Sequence, residues 1–340
     1  MYCFNQKNVL TLFYILTLWT SLVTSNKLLE KHEQWMEEHG KFYKDAAEKE
    51  KRFQIFKQNL QFIESFNAAG DSGFNLSINQ FADQTNDEYK ANSLNGQKKQ
   101  LTDVEMEATE KQVFRYENVT HVPASMDWRE RGAVTPIKHQ HHCGSCWAFA
   151  TVAATEGINQ ITTGRLVSLS EQELVDCVKT NRTDGCNGGY AEDAYEFIVK
   201  KGGITSEAKY SYKRVDGKCN IKKSSYTVAN IKGYENVPAN NEKALLKAVA
   251  NQPVAVYIAS GKRAFQFYSS GILGEDCGIE LDHVVTIVGY GTNDNGVKYW
   301  LVKNSWGTKW GEKGYVKFKR DIHAKEGVCG LAMFPTYPIA

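Results

Sequence analysis

Beyond residue 25 the chain has no uncharged run of membrane-spanning length, and between Cys3 and Cys143 it has no cysteine. A spanning helix needs ~20 predominantly apolar residues, so the first absence excludes a membrane-embedded product. The second leaves residues 26–121 without thiol chemistry of their own. Excess charge of one sign is missing too: 41 Lys/Arg face 39 Asp/Glu, a net +2. That balance does not suit a nucleic-acid partner. No Lys-Asp-Glu-Leu signal stands at Tyr337-Pro338-Ile339-Ala340. Cys143-x-x-Cys146 has no second paired Cys/His cluster beside it, as a zinc site requires. No metal or cofactor is expected.

What is present begins with a leader. Lys7 precedes an uncharged, mostly apolar run from Val9 to Val23, and Val23-Thr24-Ser25 supplies small residues. This pattern predicts a secretory signal peptide over residues 1–25, cut after Ser25. Entry into the secretory pathway makes disulfides permissible. With Cys3 removed, Cys143, Cys146, Cys177, Cys186, Cys219, Cys277 and Cys329 remain. The number is odd, so one thiol stays free, and Cys146 is the candidate. How the others pair is not legible from their spacing. Asn75, Asn118 and Asn181 each head a glycosylation sequon.

Residues 26–121 are charged and helical in pattern. Phe53, Phe56, Leu60 and Ile63 recur at helical spacing, extended by Phe66, and such a stripe needs a surface to cover it. Residues 1–121 carry 14 Lys/Arg and 17 Asp/Glu, and 14 − 17 = −3; the remainder carries +5. Opposite signs favour docking of the front on the back.

At Val122–Arg129 the character changes to cysteines, Gly-rich turns and alternating apolar runs. A helix is predicted from Cys146 to about Thr163. Ser170 is the candidate N-cap of another, with Glu173 completing a capping box. Strands are predicted at Pro253–Ile258, Val284–Tyr290, Tyr299–Lys303 and Gly314–Lys319. Helices first and strands later indicate an α+β chain of two lobes with the active site in the cleft between them.

The chemistry sits in Cys143-Gly144-Ser145-Cys146-Trp147, followed 137 and 158 residues later by His283 and Asn304. These separations approach the ~130–150 residues typical of a thiol nucleophile with its distant His and Asn. An imidazole takes the thiol proton, the thiolate attacks a carbonyl carbon, and the amide orients the ring. A helix start and a nearby imidazolium would each lower the thiol pKa from ~8.5. The alternatives are a zinc half-site, a thioredoxin-like redox pair and two structural cysteines. The first lacks its partner cluster, and the second wants a preceding strand in a small βαβ unit.

Taken together, the motifs resemble those of a papain-like cysteine protease precursor of the plant senescence-associated and vacuolar type. Glu48, Arg52, Phe56, Asn59, Ile63 and Asn67 match the interrupted propeptide motif, and Asn79-Gln80-Phe81-Ala82-Asp83 matches a second, with Ser77 where Gly is common. Gln140, Cys146-Trp147-Ala148-Phe149, Cys186-Asn187-Gly188-Gly189, Asp282-His283 and Lys303-Asn304-Ser305-Trp306-Gly307 follow in family order. The resemblance implies a helical lobe and a β-barrel-like lobe behind an inhibitory propeptide of residues 26–121, with the peptidase domain at 122–340. It implies Cys146 as nucleophile, His283 as base, Asn304 as orienting amide shielded by Trp306, and Gln140 as oxyanion donor. Gly188 and Gly189 would pair with extended substrate. Tyr190, Ala191, Tyr257, Leu281, Val284 and Phe334 would line the pocket for the residue two before the scissile bond. The implied disulfides are Cys143–Cys186, Cys177–Cys219 and Cys277–Cys329.

One departure stands out. His141-His142 occupies positions where the family has Gly and a small or polar residue, and His at 141 would strain a backbone that Gly accommodates. One reading makes them solvated loop histidines without a role; in the other, imidazoles charged by acid would stabilise the thiolate and disfavour protonation of His283. The function expected is an endopeptidase of the secretory pathway, vacuolar or extracellular, made as a zymogen. Its expected partners are polypeptide substrates, its own propeptide and cystatin-like inhibitors, and the chain is expected to be a monomer. A catalytically silent storage or binding homologue is the competing reading. An exopeptidase would need a segment blocking the cleft, and no such insertion is evident.

Overall fold

The computed structural model describes residues 26–70, 72–94, 114–274 and 277–340; the leader lies outside them. In the front, helix α1 spans 26–39 and α2 spans Ala46–Ala69. The α2 helix starts where the Asp45 side chain accepts from the Glu48 N–H, and it stops at Gly70 with φ +76°. Its Phe53, Phe56, Leu60 and Ile63 are buried, with Trp35 of α1 crossing Phe56 at 5.3 Å. Asn67 clamps strand β1 (Phe74–Leu76) by bonding both the N–H and the carbonyl of Leu76. Helix α3, Asn86–Ser93, opens on a complete capping box of Thr85 and Glu88.

The back begins with β2 (Met126–Asp127) and the central helix α4, Cys146–Thr163. Every residue of α4 from Cys146 to Asn159 is buried, as befits a helix packed on all sides. At α5, Glu171–Cys177, the Ser170 hydroxyl accepts from the Glu173 N–H, but the return bond of a capping box is not made. Glu173 instead accepts from Thr205 N, Lys201 Nζ and Ser224 Oγ. Its carboxylate is buried and meets three donors from distant segments, while the Ser170 N–H is satisfied by the Thr205 carbonyl at 3.0 Å. Helix α6, Ala191–Lys201, follows.

The remaining strands are β3 (Gly233–Asn236), β4 (Val254–Ile258), β5 (Tyr268–Leu273), β6 (His283–Thr292), β7 (Lys298–Lys303), β8 (Tyr315–Lys319) and β9 (Thr336–Ile339). They form one sheet in the order β1-β5-β8-β7-β6-β4-β9-β3, with β2 beside β6. The β5–β8 pair is parallel. The sheet ends in two edges and does not close, which corrects the barrel-like expectation. One edge is the front's own β1, laid antiparallel on β5 with Phe74 opposite Gly271. Three residues are too short a run to be legible as a strand. Trp35, Phe56, Phe81 and Tyr89 of the front share a core with Phe265, Trp306 and Trp310 of the back. The front is therefore built into the fold.

Candidate active site

Cys146 is the first residue of α4, where unpaired N–H groups give a partial positive charge. The β6–β7 register sets Thr286 opposite Lys303, so His283 and Asn304 emerge at the same end of the sheet. Nε2 of His283 lies 2.8 Å from Oδ1 of Asn304. An amide oxygen only accepts, so Nε2 carries the proton and Nδ1 is the bare nitrogen of the neutral ring. That Nδ1 is buried and has no hydrogen-bond partner among the described residues. The Ser305 N–H also donates to Oδ1, at 2.8 Å, which holds the amide in this sense. Trp306 stacks on His283 with centroids 4.7 Å apart.

Gln140 is fully buried. Ser305 Oγ donates to its Oε1 at 2.6 Å, and its Nε2 donates to the Cys143 carbonyl at 3.0 Å. The same Nε2 reaches the carbonyl of Ser93 at 3.4 Å. Ser93 ends α3, so the front touches the amide that faces the nucleophile's turn. Phe81 and Tyr89 meet Trp306 edge-on at 5.2 and 5.7 Å. Under this cover Cys146 is 1 % exposed. Burial pushes its thiol up to about 12, and burial pushes His283 down to about 4. Both charged forms lose hydration, so the covered pair is neutral, against the lowered thiol pKa anticipated from the helix start and a nearby imidazolium.

Tyr190 and Tyr257 lie 6.2 Å apart, and Phe334 meets Tyr257 edge-on at 6.4 Å. Ala191 and Val284 are buried beside them, and Leu281 packs against the same cluster. The Tyr257 hydroxyl donates to Glu192 Oε2 at 2.6 Å and accepts from Ala191 N at 3.0 Å. Glu192 was missed: its only sequence signal is adjacency to Ala191. Burial raises its carboxyl. Gly188 has φ +110°, and a Cβ on Gly189 would lie 2.5 Å from Thr183 and 2.8 Å from Trp147. Also unforeseen is a buried charge cluster. Lys138 Nζ bonds Glu156 and Glu171 at 2.9 and 2.7 Å, and Lys303 Nζ bonds Thr135.

Cys143–Cys186, Cys177–Cys219 and Cys277–Cys329 are bonded, and Cys146 is the one free cysteine among the described residues. Asn75, Asn118 and Asn181 are exposed. His141 has φ +56°. Its ring stacks on His139 at 3.8 Å, and its N–H donates to His139 Nδ1. Burial, with Arg214 and His142 nearby, lowers its pKa to about 4. It therefore stays neutral through mild acid, and the extra cation envisaged beside the thiolate is absent there.

A buried thiol at a helix start, a histidine whose free nitrogen is Nδ1, and a covering front form one arrangement. The papain family cysteine protease model matches residues 122–339, and the cathepsin propeptide inhibitor domain matches residues 32–89. The chain belongs to the papain family of cysteine proteases. It is 54 % identical over 312 residues to the senescence-specific cysteine protease SAG39 of Oryza sativa subsp. indica, covering 91 % of this chain and 90 % of that one. The senescence-specific cysteine protease SAG12 of Arabidopsis thaliana is 50 % identical over 91 % of this chain and 89 % of its own. Among solved structures, the proform of Amb a 11, a ragweed pollen allergen, superposes with a TM-score of 0.83 at 44 % identity, covering 92 % of this chain and 94 % of that one. The protease is thus made as a zymogen with an intramolecular propeptide inhibitor. No helix among the described residues is long and apolar enough to cross a membrane.

Proposed function

We propose that this papain-family protease is an endopeptidase in which Cys146, His283, Asn304 and Gln140 do the chemistry. The observation that carries the reading is the 2.8 Å His283–Asn304 bond, which leaves Nδ1 as the basic nitrogen. Nδ1 takes the proton from Cys146 Sγ, and the thiolate forms an Sγ–C bond to the substrate carbonyl. The oxyanion is held by Gln140 Nε2 and the Cys146 N–H. The intermediate collapses, breaking the C–N bond as His283 returns the proton to the leaving amine. Water then loses a proton to Nδ1, adds to the acyl carbon, and releases the acid with the Cys146 thiol restored. Gly188 and Gly189 offer backbone to an extended chain.

In this reading the leader ends at Ser25, the propeptide is cut near His121–Val122, and the monomeric enzyme works in a lytic vacuole or outside the cell. Cystatin-like proteins would occupy the cleft. Labelling by a thiol-directed, peptide-like epoxide tests it. Activated enzyme should label at Cys146 and lose peptidase activity, and Cys146→Ala should do neither; unlabelled but active enzyme would overturn the assignment.

A further inference from the structure

Behind the catalytic pair, where α4 faces β6 and β7, lies a cavity of about 20 Å³. Phe149, Val284, Lys303, Asn304 and Glu171 are among its lining residues. Two of these side chains carry buried polar atoms with no partner among the described residues, Asn304 Nδ2 and Glu171 Oε2. Asn304 is 3 % exposed and Glu171 1 %. A third, Lys303, spends two donors on Thr135 O and Oγ1, both at 2.9 Å, and an ammonium has one more to give. A cavity holds a water once it offers at least ~10–15 Å³ and a few polar partners. This one meets both conditions.

We propose that one ordered water occupies this cavity, accepting from Asn304 Nδ2 and Lys303 Nζ and donating to Glu171 Oε2, so that Glu171 is a positioning residue for the catalytic pair. The proposal rests on the roles assigned above to His283 and Asn304. Its consequence is chemical. Asn304 must keep its oxygen toward His283; a flipped amide would present N–H there, force the ring proton to Nδ1, and abolish the base. Anchoring Nδ2 through the water opposes that flip. Glu171 is itself fixed by Lys138, which also holds Glu156 Oε1 and the Leu169 carbonyl. The charges facing it are thus Lys138, Glu156, Glu207 and Lys303.

The test is Glu171→Gln, introduced in the full precursor and assayed after activation. An amide there donates where the carboxylate accepts, so the water loses its acceptor. The value of kcat should fall about 3- to 10-fold, the worth of one hydrogen bond, with KM unchanged. Loss of the negative charge also destabilises the imidazolium, so the basic limb of the kcat/KM profile should move to lower pH. Glu171→Asp keeps the charge and should restore that limb. A structural role alone would lower Tm and leave the limbs in place. Folded Glu171→Gln enzyme with wild-type kcat and superimposable limbs would overturn the proposal. So would a high-resolution crystal structure of the activated enzyme in which Asn304 Nδ2 meets no water, and this decides the matter if the variant does not fold. Wild-type enzyme that cleaves no peptide would instead sink the catalytic reading, with the crystal still deciding on the water.

Discussion

The carbonyl of Ser93 lies 3.4 Å from Nε2 of Gln140. One residue ends the last described helix of the propeptide, and the other is the side chain assigned to the oxyanion. In the proposed mechanism the zymogen thus engages its own transition-state donor with an internal peptide group, and inhibition would occupy a catalytic hydrogen bond as well as covering the thiol.

Gln140→Ala should lower kcat of the activated protease by about 10²–10³, the usual cost of one oxyanion donor, and change KM little. Steady-state kinetics on a short peptide check this. A loss confined to KM would mean that Gln140 binds ground-state substrate only.

The precursor should resist alkylation near neutral pH, whereas the activated enzyme should react quickly. Burial pushes the Cys146 thiol up to about 12 and His283 down to about 4, so between those values the covered pair carries no charge. Removing the propeptide rehydrates both groups, and each ion then stabilises the other. Iodoacetamide incorporation against pH for the two forms is the measurement. Equal rates would contradict it.

Acid should release the propeptide partly through histidines at its seam. His39 of the front, with His139, His141 and His142 of the back, lines one groove with Glu38, Lys41 and Lys309. Burial, then Lys309 and Lys41, lowers His39 to about 4; burial, then His141, lowers His139 to about 3. A base with a depressed pKa favours the docked state at high pH. That contribution is lost progressively as pH falls from ~6.5, the free imidazole value, toward the docked ones. The variant His39→Asn/His139→Asn should therefore need a lower pH for half-maximal self-shortening, read on gels. An unchanged midpoint would locate the trigger elsewhere.

Peptides with Leu or Val two residues before the scissile bond should outrun those with Phe or Arg, since Tyr257 and Phe334 narrow the pocket. Glu192 sits behind Tyr257, bonded to its hydroxyl. Tyr257→Phe should free that carboxylate and raise the relative cleavage of Arg peptides by at least severalfold, at about the value of one charged hydrogen bond. A library profile unmoved by this change would place Glu192 outside the pocket's reach.

Local patterns carried much of this protein. The stripe Phe53, Phe56, Leu60 and Ile63 repeats with the helix period, so its burial was legible. The run from Cys146 is mostly apolar in its first turns and forms the buried central helix, although burial of Thr151, Thr155, Glu156 and Asn159 in it was not legible. Strand ends were off by a residue or so where alternation fades, as at Gly314, which precedes a strand that starts at Tyr315. Chemistry was legible because thiol, imidazole and amide each stand in a short contiguous motif.

The sequence by itself determined the candidate reactive groups, the helices around Phe53–Ile63, from Cys146 and after Ser170, and the strands at 253–258, 284–290, 299–303 and 314–319, because each depends on neighbours within a few residues. Tertiary structure alone decided the tautomer of His283, the capture of Gln140 by Ser93, the open sheet edged by the propeptide's own strand, and the diversion of Glu173 from its cap. The partners in these contacts are 47 residues apart for Ser93 and Gln140 and 32 for Glu173 and Thr205. Periodicity records which face of an element is apolar. It does not record which distant donor meets which buried acceptor, since that follows from how whole elements pack and from the cost of leaving any buried polar group unpaired.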